Sequence, residues 1–257
     1  MFQVSSLVSD CPMPSNLSTM NGNLSGAIHH LTQHGIQFSA PITSRVYLAT
    51  HFNYGKVIIK FAVNTTTKSL LKNEAEFLNN TSKVLQRAPV DYAHYQGIDY
   101  LMLSYINGDT LADITKRDQP LPSNWRPKIE QQLQLIHKQG YIHGDIKPAN
   151  ILIRNNGTPE LIDFGSTLRL GSAYKNTPSH SLSPRFAAVN PLYKVGYSAP
   201  KDDWYSLAAT LHYIYSPQCE NQRSELSKNS SILVSDLPTK YQILLLKQHP
   251  AHDFTAT

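Results

Sequence analysis

Three polar residues that could perform chemistry lie between residues 145 and 163, each beside a short apolar stretch of the kind that forms a strand. Asp145 and Asn150 belong to the segment Y-I-H-G-D-I-K-P-A-N-I-L-I over residues 141–153, and Asp163 begins the tripeptide D-F-G. Aspartate and asparagine side chains in a loop supply the hard oxygen ligands that Mg²⁺ accepts. A further aspartate can accept a proton from an attacking hydroxyl. Residues of these types could therefore hold a metal ion and a general base together.

Two lysines and a glutamate add the charges that a phosphoryl transfer would need. Lys147 lies within the same segment and could offset the charge of a transferring phosphoryl group. Upstream, Lys60 ends a predicted strand and Glu74 lies on a predicted helix. These two could pair, which would fix a second cation over bound phosphates.

Four strands are predicted in the first half of the chain, from runs of β-branched and aromatic residues. They form two pairs, because turn-forming residues stand between the members of each pair. The predicted strands and turns are Val46–Ala49 and Lys56–Phe61 around Asn53-Tyr54-Gly55, and Tyr92–Gln96 and Tyr100–Leu103 around Gly97-Ile98-Asp99.

Helical periodicity predicts three helices and becomes the main pattern beyond Asn107. A short helix over Leu24–His34 would end at Gly35, and a stripe on a later helix would end at Gly140. The apolar stripes are Leu70, Leu71, Glu74, Phe77 and Leu78 within Thr67–Asn79, and Ile129, Leu133, Ile136 and His137 before Gly140. Strands first and helices later indicate an α+β chain in two lobes, divided near residue 105.

These residues together resemble a protein kinase of the eukaryotic Ser/Thr type. Residues 143–150 (H-G-D-I-K-P-A-N) are similar to the catalytic loop H-R-D-x-K-x-x-N, and residues 163–165 to D-F-G. Val57-Ile58-Ile59-Lys60 resembles the V-A-I-K strand, and Asp203-Trp204-Tyr205-Ser206-Leu207 the D-x-W-S-L start of a later helix. The matches run in family order from about Val46 to Leu211.

The resemblance implies a two-lobed fold and a set of site residues. Residues 1–35 would form a flexible extension with a possible short helix, residues 36–104 the N-lobe with an antiparallel sheet and one helix, and residues 105–257 a mainly helical C-lobe. The cofactors would be ATP and Mg²⁺. The implied catalytic residues are Asp145 and Lys147, the metal ligands Asn150 and Asp163, and the ATP-binding residues Lys60, Glu74, Val46, Ile58, Leu103, Ser104, Tyr105, Ile106 and Leu152.

Several positions depart from the family pattern. The glycine-rich loop is replaced by residues 39–46 (S-A-P-I-T-S-R-V), Ile58 stands where the family has alanine, and Gly144 replaces the arginine of H-R-D. The arginine clamps an activation-segment phosphate in the family, so its loss implies activation without such a phosphate.

The last part of the chain matches the family weakly. The A-P-E motif is best placed at residues 187–189, and its glutamate is absent because Val189 stands there. The nearest match to the arginine that pairs with this glutamate is Asp253, so both members of a buried ion pair are expected to be replaced together. About forty residues follow Ser216, and the C-lobe is therefore expected to be trimmed at its end.

The function that the resemblance implies is transfer of phosphate from ATP, with Mg²⁺, to serine or threonine hydroxyls of protein substrates. The hydroxyls after D-F-G are candidate targets of autophosphorylation: Ser166, Thr167, Ser172, Thr177, Ser179, Ser181 and Ser183.

Two other functions remain open. A pseudokinase that serves as a binding module would explain the missing glycine-rich loop and the trimmed C-lobe. A small-molecule phosphotransferase of the aminoglycoside or choline type also begins its catalytic loop with H-G-D, although such enzymes typically lack the Lys147-Pro148 pair and the helix start at Asp203.

Composition limits the partners and the location. The net charge is +5 with no run of five basic residues, and no stretch approaches the ~18 apolar residues of a membrane span, so neither nucleic acid nor a membrane span is expected. The expected partners are a protein substrate and a possible regulatory or docking partner. Two cysteines are compatible with a reducing, cytoplasmic setting, and a secreted bacterial effector is the alternative.

Overall fold

The computed structural model describes residues 22–177, 182–215 and 237–247. Strands dominate the first part of these ranges and helices the second, as an α+β architecture requires. The elements in chain order are α1 (Gly22–Gln33), β1 (Ile36–Thr43), β2 (Val46–His51), β3 (Gly55–Ala62), α2 (Thr65–Leu85), β4 (Asp91–Tyr95), β5 (Ile98–Ser104), β6 (Gly108–Thr110), α3 (Leu111–Lys116), α4 (Trp125–Lys138), β7 (Tyr141–Ile142), β8 (Ile151–Arg154), β9 (Pro159–Leu161), β10 (Leu168–Arg169), α5 (Val189–Tyr193), α6 (Pro200–Tyr215) and α7 (Thr239–Lys247).

Five strands form an antiparallel sheet in the order β1-β2-β3-β5-β4. The turn predicted at residues 97–99 lies at residues 96 and 97 instead, so the prediction was wrong in position and in length. Gln96 and Gly97 make the turn with φ of 45° and 90°, while Ile98 and Asp99 already pair with Tyr95 and His94 in the ladder. Two consecutive residues with positive φ form the tight hairpin turn that matches strand twist, so the turn needs no third residue.

The two faces of this sheet bury different cores. One face carries Tyr47, Ile59, Phe61 and Met102, which form a core cluster with Leu24, Ala27 and Leu31 of α1. Gly35 follows α1 with φ of 85°, the left-handed conformation that ends a helix. The helix predicted before Gly35 is therefore present and packs on the sheet. Residues 1–21 lie outside the described ranges.

Strand β1 was not predicted from the sequence. Only the beginning of this strand is buried, so its sequence lacks an alternating apolar pattern. The register with β2 shifts twice, and Pro41 has no backbone N–H to donate to a neighbouring strand. A two-residue connection, Ser44 and Arg45, joins β1 to β2. The residues that stand in place of a glycine-rich loop are therefore mostly strand.

Helix α2 packs on the opposite face of the sheet. Asn64 accepts a hydrogen bond from Thr67 N–H at 2.8 Å, and Thr67 Oγ1 accepts one from Asn64 N–H at 3.0 Å, which caps the first turn. The helix continues to Leu85, beyond the predicted end at Asn79. Its buried residues include Leu71, Glu74, Phe77 and Leu78, as the periodicity predicts.

Helices α4, α6 and α7 surround the second core. Ile129 and Leu133 of α4, Leu207 and Leu211 of α6 and Tyr241 of α7 are fully buried together. None of the described helices is long and apolar enough to cross a membrane. Residues 216–236 and 248–257 lie outside the described ranges, and with them Asp253 and most of the segment on which the trimmed C-lobe was predicted.

Candidate active site

Lys60 links the sheet, helix α2 and the D-F-G segment through its ammonium group. Lys60 Nζ lies 2.7 Å from Glu74 Oε2 and 2.8 Å from Asp163 Oδ1. Burial alone would lower the pKa of Lys60, but the charges of Asp163 and Glu74 outweigh that effect and raise it. The charge of Lys60, reinforced by its hydrogen bond, lowers the pKa of Asp163 to about 2. Lys60 is therefore held as a cation and Asp163 as an anion.

The neighbours of Asp163 hold this segment against α2. Asp163 has φ of 65°, Phe164 is 3% exposed, and the Phe164 N–H donates to Glu74 Oε1 at 3.3 Å. The Phe164 ring lies 4.8 Å from that of Phe77 and 5.1 Å from that of His143. Phe164 is packed between these elements, whereas the Asp163 carboxylate, 48% exposed, is turned toward solvent instead of the core.

The catalytic-loop candidates form a second connected group. Lys147 Nζ donates to Asp145 Oδ2 at 2.6 Å, and Asn150 Nδ2 donates to the Asp145 carbonyl oxygen at 2.8 Å and to Oδ2 at 3.1 Å. The Ile162 N–H donates to Asn150 O at 3.0 Å, which ties this loop to the residue before Asp163. The loop therefore holds Asp145, Lys147 and Asn150 in mutual contact beside the D-F-G segment.

Asp203, in the first turn of α6, fixes the backbone of the catalytic loop through hydrogen bonds. Its Oδ2 accepts from His143 N–H at 2.8 Å and contacts His137 Nε2 at 2.9 Å, and its Oδ1 accepts from Gly144 N–H at 2.9 Å. Asp203 is 1% exposed. A buried carboxylate that accepts from two successive backbone donors restrains the loop immediately before Asp145.

Gly144 is required sterically at its position. Its φ is 81°, and an added Cβ would lie 2.3 Å from the carbonyl oxygen of Ser166. A side chain here would displace either the catalytic loop or the residues after D-F-G.

The face of the sheet that carries Lys60 also carries three of the four apolar residues predicted to contact adenine, Val46, Ile58 and Leu103. Val46 lies opposite Lys60, and Ile58 lies between Leu48 and Leu103 in the ladder, so these side chains share one face. Leu152 of β8 is buried but lies on the other side of its strand from Ile151 and Ile153, which join the second core. The four predicted apolar residues are therefore divided between the sheet and β8.

The segment that joins the sheet to the helical part offers backbone groups. The Tyr105 N–H donates to Lys56 O at 3.0 Å, whereas no backbone partner within the described ranges contacts Ile106. Ser104 is exposed and Tyr105 and Ile106 are half-buried. The backbone of Ile106 is therefore available to an external hydrogen-bonding partner, such as the edge of an adenine base.

The oxygen atoms beside Asp145 fit a magnesium ion. Asn150 uses its Nδ2 on Asp145, which leaves Oδ1 without a partner in the described part of the chain. Asp163 uses Oδ1 on Lys60, and its half-exposed carboxylate keeps Oδ2 available. Mg²⁺ is commonly held by one or two such side chains together with substrate phosphates, and the absence of any larger His, Cys, Asp or Glu cluster from the described residues is compatible with that coordination.

Four hydrogen bonds within the site, which involve the side chains of Ser183, Asn73 and Arg87, were missed by sequence reasoning. Ser183 Oγ accepts from Lys147 at 2.9 Å, Asn73 Nδ2 donates to the carbonyl oxygens of Gly165 and Thr167 at 2.9 and 2.8 Å, and Arg87 Nη1 donates to Leu161 O at 3.1 Å. Each contact joins residues tens of positions apart, and no local pattern marks it. Ser183 appeared in the sequence only as one of several hydroxyls in its segment.

Comparison with known proteins agrees with this geometry. Residues 43–252 match the protein kinase domain. A probable serine/threonine-protein kinase of Clostridium perfringens is 31% identical over 163 residues, which are 60% of this chain and 23% of that protein. A serine/threonine-protein kinase of Corynebacterium efficiens is 30% identical over 180 residues, 64% of this chain and 34% of that protein.

The similarity extends to a eukaryote and covers only part of each relative. The serine/threonine-protein kinase ppk31 of Schizosaccharomyces pombe is 34% identical over 133 residues, 47% of this chain and 13% of that protein. The chain thus spans about a third or less of the length of the curated relatives it matches. The match across most of the sequence, on an α+β fold that joins Lys60, Glu74 and Asp163, shows that the chain belongs to the protein kinase family.

Proposed function

We propose that this protein transfers the γ-phosphoryl group of ATP, with Mg²⁺, to serine or threonine hydroxyls of a protein substrate. The observation that carries the proposal is the ion-paired connection from Glu74 through Lys60 to Asp163. Asp145, Lys147 and Asn150 lie in contact with one another beside it. All six polar groups expected to handle phosphate or metal are present together.

Asp145 is the proposed base. Its carboxylate accepts the proton of the substrate hydroxyl while the hydroxyl oxygen forms a bond to the γ-phosphorus and the bond to the ADP oxygen breaks. Lys147, already 2.6 Å from Asp145 Oδ2, neutralises charge on the transferring group. Lys60, held by Glu74, binds the α- and β-phosphates. Asn150 and Asp163 would hold Mg²⁺, which neutralises phosphate charge when bound.

The nucleotide base is proposed to lie between the sheet and β8. Val46, Ile58 and Leu103 would cover one side and Leu152 the other, and backbone groups of residues 104–106 would bind the adenine edge. Ile58 has larger bulk than the alanine of the family, so the adenine seat is expected to be narrower or the base tilted.

Hydroxyl groups after D-F-G are proposed targets of autophosphorylation. The degree of burial distinguishes the accessible hydroxyls from the inaccessible ones. Ser166 and Thr167 are 5% and 2% exposed, and Ser183 is engaged by Lys147. Ser172 and Thr177 are partly exposed. These two are therefore the better targets among the described residues, while Ser179 and Ser181 lie outside the described ranges.

Transfer of labelled phosphate tests the proposal directly. Purified protein is incubated with Mg²⁺ and γ-labelled ATP, with and without a generic acceptor protein, beside the Asp145→Asn variant. Label on serine or threonine that requires Asp145 is the expected result. Absence of label, together with no rise in melting temperature on adding ATP, would leave a binding module instead. Nucleotide binding without protein labelling would redirect the search to small-molecule acceptors.

The proposed setting is a reducing compartment that contains ATP. Two cysteines in 257 residues are compatible with the cytoplasm, or with the cytoplasm of a host cell for an exported bacterial effector.

A further inference from the structure

The surface that follows the D-F-G segment is basic and has no acidic residue within its own sequence. Residues 164–201 contain five lysines and arginines and no aspartate or glutamate, although the whole chain has 18 acidic residues against 23 basic ones. All five basic residues are exposed. We use the name basic face for these five residues, which are Arg169, Lys175, Arg185, Lys194 and Lys201.

Backbone pairing gathers four of these residues into one surface. Ala173 and Tyr197 form an antiparallel bridge, and Tyr174 N–H donates to Gly196 O at 3.1 Å. Ser198 Oγ donates to the backbone carbonyl of Arg169 at 2.6 Å. The segment that carries Arg169 and Lys175 therefore lies against the segment that carries Lys194 and Lys201.

The basic face adjoins the catalytic loop on two sides. Arg169 of β10 pairs with Tyr141 of β7, four residues before Asp145, and its guanidinium lies 5.0 Å from the centre of the Tyr141 ring. Arg185 lies two residues after Ser183, whose hydroxyl accepts from Lys147. Two residues of the basic face therefore belong to segments that contact the catalytic loop or the strand before it.

Arg169 and Arg185 each lie over a tyrosine ring, Tyr141 at 5.0 Å and Tyr213 at 5.2 Å, whereas the three lysines have no such contact in the described part of the chain. Like charges brought together destabilise the folded state. Lys175, Lys194 and Lys201 form no salt bridge with any carboxylate of residues 22–177, 182–215 or 237–247. By contrast, the exposed Asp109 near the predicted lobe boundary is paired with Arg117 at 2.8 Å. An exposed cationic surface whose three lysines lack a carboxylate partner among the described residues attracts an anionic partner.

We propose that the basic face binds acidic side chains that flank the acceptor serine or threonine of the protein substrate. The inference rests on the proposed function and specifies its substrate class. Exposed ion pairs contribute little individually, so one acidic residue raises kcat/KM about twofold to fivefold, and two or three together raise it about tenfold. The preference weakens as salt increases, because the charges are exposed.

Three peptides of equal length with one central serine test the inference. Their flanking residues are glutamate and aspartate, the neutral glutamine and asparagine, or lysine. Phosphorylation is measured with the wild type and with Lys175→Glu/Lys194→Glu. The matched control is Lys83→Glu/Lys138→Glu, which changes the net charge equally at exposed positions on α2 and α4. Binding of the same peptides, carrying a fluorophore, is measured separately by anisotropy with Asp145→Asn.

The expected result is about tenfold higher kcat/KM for the acidic than for the neutral peptide, lost in the variant at residues 175 and 194 and kept in the control. Equal rates for acidic and neutral peptides would overturn the inference and leave the kinase activity standing. If no peptide is phosphorylated but Asp145→Asn binds the acidic one selectively, the proposed function fails and the acidic-partner surface remains. An oligonucleotide that displaces the acidic peptide at lower concentration would reassign the surface to nucleic acid.

Discussion

The carbonyl oxygen of Ser166 occupies the space that a Cβ of Gly144 would need, at a distance of 2.3 Å. The catalytic loop and the residues after D-F-G therefore meet backbone to backbone. Gly144 also donates its N–H to Asp203 at 2.9 Å, so it can hardly move away from Ser166. The glycine in H-G-D is thus a packing requirement of this site and not merely a missing arginine.

Gly144→Ala is expected to destabilise the fold by more than the cost of a positive φ alone. That cost is about 1–2 kcal/mol for an L-residue, and the contact with Ser166 adds to it. Gly140→Ala is the matched control, since Gly140 has φ of 82° with nothing within 4 Å of an added Cβ. Urea unfolding measures both free energies. Equal losses in the two variants would mean that the contact with Ser166 relaxes without cost.

Lys60→Met is expected to lower the free energy of unfolding because Glu74, 2% exposed, loses the cation that compensates its charge. Removing one member of a buried pair costs about 3–5 kcal/mol, and the partial exposure of Lys60 favours the lower end. Adding Glu74→Gln should recover part of the loss. Comparison of both single variants with the double variant measures the coupling, and additive losses would show that Lys60 and Glu74 do not stabilise each other.

The contribution of Asp163 to stability is expected to disappear in acid. Its folded-state pKa is held at about 2, below the ordinary value of 3.8, so the stabilisation is fully present above about pH 4 and is lost as the pH falls toward 2. Urea unfolding of the wild type and Asp163→Asn at several pH values between 5 and 2.5 measures it. The wild type should lose its advantage over that range. A constant difference between the two proteins would show that the Asp163 charge does not stabilise the fold.

Asn73→Ala is expected to loosen the segment after D-F-G. Its amide donates to two carbonyl oxygens there, of Gly165 and Thr167, and loss of these bonds leaves polar groups unpaired at a cost of about 1–3 kcal/mol. Hydrogen exchange over residues 165–177 reads out the effect. Asn79→Ala, at an exposed position of the same helix, controls for helix propensity. Similar exchange in both variants would remove Asn73 as a positioning residue.

Sequence patterns predicted the parts of this site that have local causes. The stripe on α2 includes Leu71, Glu74 and Phe77 and correctly placed Glu74 on the helix face that meets the sheet, because a 3.6-residue period defines a face. Lys60 was predicted at the end of a strand from the β-branched residues before it, and it lies within β3, which continues to Ala62. The resemblance to the catalytic-loop and D-F-G motifs then assigned Asp145, Asn150 and Asp163 to the same site.

Features that depend on distant contacts were not predictable in this way. Strand β1 is recognisable by its pairing with β2 and not by its own composition, since Pro41 and exposed polar residues occupy its second half. The bond from Lys147 to Ser183 spans 36 positions, and the bond from Arg87 to Leu161 spans 74. Nothing in the sequence around these four residues marks them as partners, so only the folded chain identifies the two bonds.

The tight hairpin of β1 and β2 has a thermodynamic consequence for nucleotide binding. A flexible glycine loop must be ordered when it covers phosphates, and that ordering reduces affinity. Here the corresponding residues already pair, from Ile36 with His51 to Thr43 with Val46, before any nucleotide is bound. Under the proposed function, the strand that covers the nucleotide would lose little conformational entropy on binding, and this would offset some of the backbone contacts that Pro41 cannot make.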